Sequence, residues 1–480
     1  MARPATSTGA WLTLLVAAAG QFLSVVSTTV VSVALPTMGE HLDASATDLQ
    51  WIVDSYVLVL ASLLMTGGVL GDRLGRKGVF MVGIAIFATG SLMTGLAPTI
   101  EMVLIGRVIQ AIGPALLVPG SLNIVRAAFD DPARRAFALG LWSTSSGLAM
   151  AVGPIVGGVI VDGWGWRWVF LINVPLSLLL IAIAARYVPR LAKLTNKARF
   201  DLSGAVLTIV GVGALAFAII EGQNHGWGSP LILGMFALSL VTLTIFVLVE
   251  RRLADPLIDV RLYLLPRFAA ANIAGLVVFF AFTGSIVYFS AYFQQVQGLD
   301  ALHAGINVAA LGIAFAVAST VSGHLVGRIG AKWPLLIGLV VCAAGTLGLL
   351  RLDTTTPGSL IWWNFAIFGF GIGLSMSPMA AIAMAAVDAS HAGMASAILN
   401  SVRQVGQLLG VAVLGALVYA NIPGRSGGGA RLNPRDQESF VSGLHAAMWT
   451  SAVALLIGAV LSALLFRVEA KRERTVTPVA

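Results

Sequence analysis

The chain has one cysteine, Cys342, in 480 residues. A single thiol inside an apolar run excludes an intramolecular disulfide and a cysteine-held metal centre. Charge is scarce as well: Asp, Glu, Lys and Arg make up 10% of the residues against 58% apolar ones. A water-soluble domain needs a much larger charged share to cover its surface, and no stretch is long and polar enough to form one separately. A GxxxxGK[ST] loop is missing, which argues against an ATP-driven pump. The histidines His41, His225, His303, His324, His391 and His445 show no metal-ligand spacing. No nucleophile–base cluster stands out, so neither a cofactor nor a metal is expected.

What the chain does have is apolar length. Runs of eighteen or more apolar residues recur from end to end, each enough to cross a bilayer as a helix. Fourteen spans are predicted, at about 11–36, 49–70, 78–97, 100–125, 136–160, 168–187, 202–221, 230–249, 268–294, 303–322, 334–350, 359–384, 393–419 and 441–466. No small-residue cleavage pattern follows the first run, so it is read as a retained helix. The expected class is an all-α polytopic membrane protein.

The charges then set the orientation. Starting from a cytosolic N-terminus, 22 of the 29 Lys and Arg fall in loops on the inside and five on the outside, while Arg107 and Arg403 lie within spans. The positive-inside rule therefore places both termini in the cytosol, and the formal charge of +8 reads as topology rather than affinity for nucleic acid. The exception is the Gly/Arg-rich outside loop 423–435, either a flexible exposed loop or a lure for substrate.

Two charged loops repeat. Residues 67–77 read GGVLGDRLGRK and residues 323–332 read GHLVGRIGAK, so Gly68, Leu70, Arg73, Gly75 and Lys77 match Gly323, Leu325, Arg328, Gly330 and Lys332 in spacing. Such an internal repeat in a polytopic chain points to a transporter of duplicated helix bundles. The expected division is an N-terminal six-helix bundle over 1–187, two inserted helices over 188–266, and a C-terminal six-helix bundle with its tail over 267–480. Asp72 can sit near a helix N-terminus or pair with Arg73 or Arg76, and the cluster could lock the cytosolic faces of two bundles in one state. The plainer reading of its cations is topology alone.

Ionisable residues within the spans carry the clearest functional signal, since each costs about 2.5–3.5 kcal/mol at mid-depth on insertion scales. Residues 45–48 read as a capping box opening span two, which leaves Asp54 too deep to be a first-turn acid. Desolvation and a neighbouring cation act in opposite senses on such a carboxyl, making it a candidate for proton exchange with Arg107 as the cation. The alternative is a solvated acid in an outer vestibule. Asn400, Arg403, Gln404 and Gln407 share one helix face, either to meet substrate or to bond another helix. Glu221 lies at the outer end of span seven, a secondary coupling candidate. Phe22, Trp142, Phe282 and Phe289 are candidate cavity aromatics, though packing is the commoner role for each.

Over essentially its full length the chain resembles the fourteen-helix drug:proton antiporter branch of the major facilitator superfamily. The resemblance rests on the loop 67–77, on Gly147 with Gly153, Pro154, Gly157 and Gly158 in span five, on Arg107 to Gln110 with Gly113, on WRWVFLINVP (166–175) and on YFQQVQG (292–298) followed by Ala304 and Gly305. It implies that the span-five surface meets a helix of the other half and seals the cytosolic side, with Pro154 kinking the helix and the glycines allowing close packing. It also implies proton-driven export of amphipathic small molecules by a monomeric protein of the bacterial cytoplasmic membrane. One departure stands out: where the family carries an acid and an asparagine in helix one, this chain has Ser27 and Ser32. That shifts weight to Asp54. It also keeps open an exporter or facilitator of a lipid or metabolite without tight proton coupling; a membrane-embedded enzyme is the remaining alternative.

Overall fold

The computed structural model describes residues 7–129, 131–189, 202–253, 260–387, 392–422 and 431–476. All regular structure among them is helical: α1 (Ser7–Leu42), α2 (Ala46–Leu74), α3 (Arg76–Gly95), α4 (Ile100–Ala128), α5 (Pro132–Trp164), α6 (Arg167–Leu171), α7 (Asn173–Tyr187), α8 (Leu202–His225), α9 (Pro230–Glu250), α10 (Pro266–Ala291), α11 (Ala301–Ile329), α12 (Lys332–Gly348), α13 (Gly358–Ala385), α14 (Ala392–Val418) and α15 (Pro434–Val476), with short 3-10 and π turns between some of them. Twelve helical stretches among the described residues are long and apolar enough to cross a membrane, and two shorter apolar ones, Val152–Trp164 in α5 and Val206–Gly222 in α8, accompany them. The protein is thus an all-α, multi-pass membrane protein.

Local chemistry explains where helices begin and break. Ser45 Oγ accepts from the Asp48 backbone N–H (3.2 Å) while the Asp48 carboxylate accepts from the Ser45 N–H (2.8 Å), the reciprocal capping expected from the sequence. Asp131 caps α5 by accepting from the Arg134 N–H, with Pro132 in the first turn. The predicted sixth span is split into α6 and α7 at Ile172; Pro175, lacking an N–H, cannot bond back across that break. The greatest departure from expectation is at the charged repeats. Residues 67–77 were expected as a loop, yet α2 runs helically to Leu74 and only Gly75, at φ +107°, separates it from α3. Gly330, at φ +76°, stands just beyond the end of α11. A side chain rarely adopts such backbone angles, and glycine does so freely.

The chain divides into two compact units, Met1–Gly213 with Phe293–Ile306 and Pro423–Arg431, and Ala214–Tyr292 with Asn307–Ile422 and Leu432–Ala480. In the first, Val16 and Leu23 of α1, Phe80, Ile84 and Phe87 of α3, Leu117 and Ile124 of α4 and Leu180 of α7 form a buried apolar cluster. Small residues let α3 and α4 approach through their backbones: a Cβ on Gly83 would lie 2.8 Å from the Gly113 carbonyl oxygen. In the second, α10 packs on α14 and α15, and α12 on α13 and α15. Phe289 and Phe365 meet edge to face at 4.8 Å, and the Tyr288 hydroxyl donates to the Val411 carbonyl at 2.6 Å. Of the twelve long spans, α9 has the smallest share of buried residues, as a lipid-facing helix does.

Candidate functional site

In the first unit α4 carries Arg107 into a fully buried position. Its Nε donates to the Ile52 carbonyl of α2 (2.9 Å), and Nη1 donates to the Gln110 side-chain oxygen (2.7 Å), to Ser27 Oγ (3.2 Å) and to the Ser27 carbonyl (3.4 Å) of α1. The guanidinium lies 4.2 Å from the centre of the Tyr56 ring, close enough for a cation–π contact. Gln110 extends the network by donating to Ser91 Oγ at 2.7 Å. The serine that stands at the helix-one acid position is therefore a direct partner of the arginine. Ser32 is buried and turns its hydroxyl to the Thr29 carbonyl at 2.7 Å.

Asp54 sits on α2, two residues beyond the carbonyl that Arg107 grips and two before Tyr56. It is fully buried, and neither carboxyl oxygen has a hydrogen-bond partner. Arg107, expected as the neighbouring cation, forms no ion pair with Asp54 among the described residues: its Nε and Nη1 bond to Ile52, Ser27 and Gln110. A carboxyl so placed is held in neither charge state by a bonded neighbour.

The span-five motif is a contact surface. On α5, Gly153 faces the Thr29 hydroxyl and Gly157 faces Val30 of α1 at 3.0 Å from an added Cβ. A Cβ on Gly158 would meet the Leu302 Cα at 2.5 Å and the Ala301 carbonyl oxygen at 2.6 Å, and Gly305 faces the Pro154 carbonyl. Pro154 is enclosed in this contact with the first turns of α11, which belong to the same compact unit. The sequence reading missed Asp162, one turn beyond Gly158. Its carboxylate accepts from the Ala301 N–H (3.2 Å) and the Leu302 N–H (2.7 Å), satisfying free donors at a helix N-terminus that favours negative charge. Gln294, in the YFQQVQG segment, donates to the Val33 carbonyl of α1 at 3.0 Å. The contact lies at the C-terminal end of α5, remote from the basic stretch 126–135 that leads into the helix.

In the charged repeat, Gly68 leaves an added Cβ 3.5 Å from Pro119, Gly75 makes the turn, and Arg76 is partly buried. The side chains of Asp72 and Arg73 lie outside the described residues. Lys77, for which the sequence left open a part in the charged cluster or topology alone, donates to the carbonyls of Ala185 and Val188, both at 2.8 Å, and so closes the C-terminus of α7. Trp142 is partly buried and donates to Ser121 Oγ at 3.1 Å; Phe22 is also partly buried.

In the second unit Asn400, Arg403 and Gln404 of α14 are partly buried. Arg403 Nη1 donates to Asn400 at 3.4 Å, and its guanidinium lies 5.6 Å from the Phe279 ring centre. Phe282 is buried edge-on to Phe279 at 6.0 Å. Phe279, one turn earlier on α10, is thus the ring that meets Arg403, and only the helical spacing from Phe282 could have pointed to it. Phe289 is fully buried against Phe365 and Tyr292, a packing position. Glu221 accepts from the Asn224 amide at 3.0 Å and lies 3.6 Å from His225, partners on its own helix.

The sequence profile described as Major Facilitator Superfamily matches residues 17–411. The chain is similar to the "Multidrug resistance protein Stp" of Mycobacterium tuberculosis, at 36% identity over 409 residues covering 85% of this chain and 76% of that protein. It is also similar to the "Methylenomycin A resistance protein" of Streptomyces coelicolor, at 33% identity over 403 residues covering 84% of each. Among solved structures, a bacterial homologue of the human lysosomal transporter Spinster, in an inward-facing and unoccupied conformation, superposes with a TM-score of 0.70 over 96% of this chain and 98% of that one at 18% identity. A profile matched over most of the chain, relatives above 30% identity and a shared fold together make this protein a member of the major facilitator superfamily, a membrane transporter and not an enzyme.

Proposed function

We propose that the protein exports amphipathic or hydrophobic, drug-like small molecules across the bacterial cytoplasmic membrane in exchange for protons. It belongs on this reading to the fourteen-helix drug:proton antiporter branch, works by alternating access as a monomer in the bilayer, and keeps both termini in the cytosol. The similar proteins are resistance and export proteins by name, which supports the direction and kind of cargo. The observation that carries the coupling is Asp54. A buried carboxyl with no partner on either oxygen can gain or lose a proton without breaking a bond, and the change of charge alters which conformation is favoured. The α5–α11 contact, drawn together by Gly158, Gly305 and Asp162, serves as an outer gate that parts when the protein opens outward.

The test is uptake of fluorescent amphiphiles into inverted vesicles with and without an imposed pH gradient. Asp54→Asn is expected to keep exchange down a substrate gradient and to lose uphill, pH-driven transport. Full pH-driven transport by Asp54→Asn would sink the carrier assignment. A second reading, export or facilitation of a lipid or metabolite without tight coupling, is favoured by one observation: Ser27 rather than an acid faces Arg107. Wild-type transport indifferent to the pH gradient would select it.

A further inference from the structure

We propose that Arg403 is the receptor for an anionic head group, a carboxylate, sulfonate or enolate, on an amphipathic substrate. The inference deepens the export reading and rests on it for why a substrate enters the protein at all.

The two arginines buried in the helices are held in different ways. A guanidinium carries five N–H donors in a planar fork. Arg107 commits Nε to one carbonyl of α2 and Nη1 to Ser27 of α1 and to Gln110, leaving only Nη2 without a partner, and stacks on Tyr56. That is how a structural arginine is tied down. Arg403 makes one long bond, 3.4 Å, to Asn400 one turn earlier on its own helix. Its Nε and Nη2 atoms are buried and have no hydrogen-bond partner. Among the described residues no carboxylate pairs with it, and two acids of the same unit are committed elsewhere: Glu469 to Arg267 at 2.7 Å, and Asp353 to the Thr355 and Thr356 side chains, each at 2.9 Å.

The surroundings suit a ligand with a charged end and an apolar body. Beside Nε and Nη2, the Gln404 side-chain oxygen is also buried without a partner, so adjacent residues of α14 offer a cationic fork and one acceptor. An anionic oxygen pair fits the fork in the two-bond geometry that arginine favours over lysine, and a hydroxyl or N–H on the ligand fits the acceptor. Phe279 of α10 supplies a ring at 5.6 Å. Gly275 of α10 makes room for the arginine stem, since an added Cβ would lie 3.4 Å from Arg403 Cγ and 3.8 Å from Met379 Sδ of α13. One and two turns along α14, Gly406 and Gly410 bring the helix against the carbonyls of Leu276 and Phe280. That fixes the spacing between α10 and α14, so the guanidinium cannot find a partner by helix movement at this seam. The free donors remain for a group that arrives from outside the chain.

The experiment uses the full chain in nanodiscs and three probes with one body and different heads: 1-pyrenebutanoate, 1-pyrenebutanamide and 1-pyrenebutylamine. Binding is read by energy transfer from tryptophan to pyrene, with empty nanodiscs as blank. The wild type should bind the butanoate about tenfold or more tightly than the amine, the scale of a lost charge-assisted pair. Arg403→Gln should lose that preference and bind the amide within about twofold of wild type, which also shows that the variant is folded. Arg403→Lys, a point charge without the fork, should fall between. An indifferent or cation-preferring wild type overturns the proposal, and so does an anion preference that survives Arg403→Gln. If Arg403→Gln does not fold, the wild-type order together with Arg403→Lys decides: an undiminished preference in the lysine variant refutes recognition by the fork. Displacement of the butanoate by an equal concentration of acetate would also refute it, showing a site for small anions. Because binding is read without a gradient, a chain that binds the anion but transports nothing would sink the export reading and leave this one standing.

Discussion

Replacing Gly158 by alanine tests the α5–α11 contact most directly. The added Cβ would stand 2.5 Å from the Leu302 Cα, 2.6 Å from the Ala301 carbonyl oxygen and 2.8 Å from the Leu302 nitrogen. All three obstacles are backbone, so no side chain can swing aside. Ordinary carbon–carbon contact is about 3.5–4.0 Å, so the helices must part by about 1 Å. The same movement stretches the 2.7 Å bond from Leu302 N–H to Asp162 beyond useful range. Overpacking of this kind costs about 1–3 kcal/mol. If the contact exists only while the gate is shut, that cost falls on one state alone and moves the equilibrium by about 5–150-fold. The assay is the rate at which an impermeant maleimide labels Leu302→Cys in a Cys342→Ala background, alongside vesicle transport. Gly158→Ala should speed labelling at least about fivefold and slow transport. Gly163→Ala is the control, since a Cβ there meets nothing within 4 Å. Labelling and transport by Gly158→Ala at the rates of the control would refute the argument, because the backbone would then have absorbed the methyl without opening anything.

Other outcomes follow from single contacts. Asp162→Asn keeps an acceptor oxygen but removes the charge at the start of α11, a loss of about 0.3–1 kcal/mol; labelling of Leu302→Cys should rise about two- to fivefold, and an unchanged rate would show that the carboxylate is dispensable. Lys77→Met keeps the apolar stem and removes two bonds to the end of α7, so the apparent melting temperature in detergent should fall by about 2–6 °C; equal melting would return Lys77 to topology alone. Asp300 is held below the usual carboxylate range, chiefly by the His303 backbone N–H and further by the His303 ring. Its depressed folded value means that the stabilisation is complete above the ordinary value of about 3.9 and is lost as the pH falls through the lower folded one. Amide exchange at His303, corrected for intrinsic rate, should therefore stay flat from about pH 5 to 8 and rise only in stronger acid; a rise within the flat range would refute the carboxylate as the cause.

The helices themselves were legible because the signals for them are local. Apolar length marked them, and the pair Ser45 and Asp48 announced the start of α2 by its capping pattern alone. The motif glycines were also readable as places of close approach, since a missing side chain is a property of the sequence. What they approach was not. Nothing near Asp162 in the chain says that its carboxylate accepts from Leu302, 140 positions later, and nothing near Lys77 names Val188. Burial depth suggested that Asp54 and Arg107 belong together, and they do share a unit, but hydrogen-bond geometry gave the guanidinium to Ser27, Ile52 and Gln110. The charged repeat misled for a different reason: polar residues read as a loop when no solvent boundary is known, whereas the backbone there stays helical up to the one glycine that turns it.

That glycine joint has no slack, and this limits what the protein can accept. With only Gly75 between α2 and α3, one extra residue would rotate α3 by about 100° about its axis. Phe80, Ile84 and Phe87 would swing away from the cluster they share with α1, α4 and α7, and Lys77 would be carried off the end of α7. A stretch that looks hydrophilic and exposed, the natural choice for an epitope tag or a protease site, is therefore closed to insertion by register, in the way a gear cannot take an added tooth; reporters belong at the chain ends.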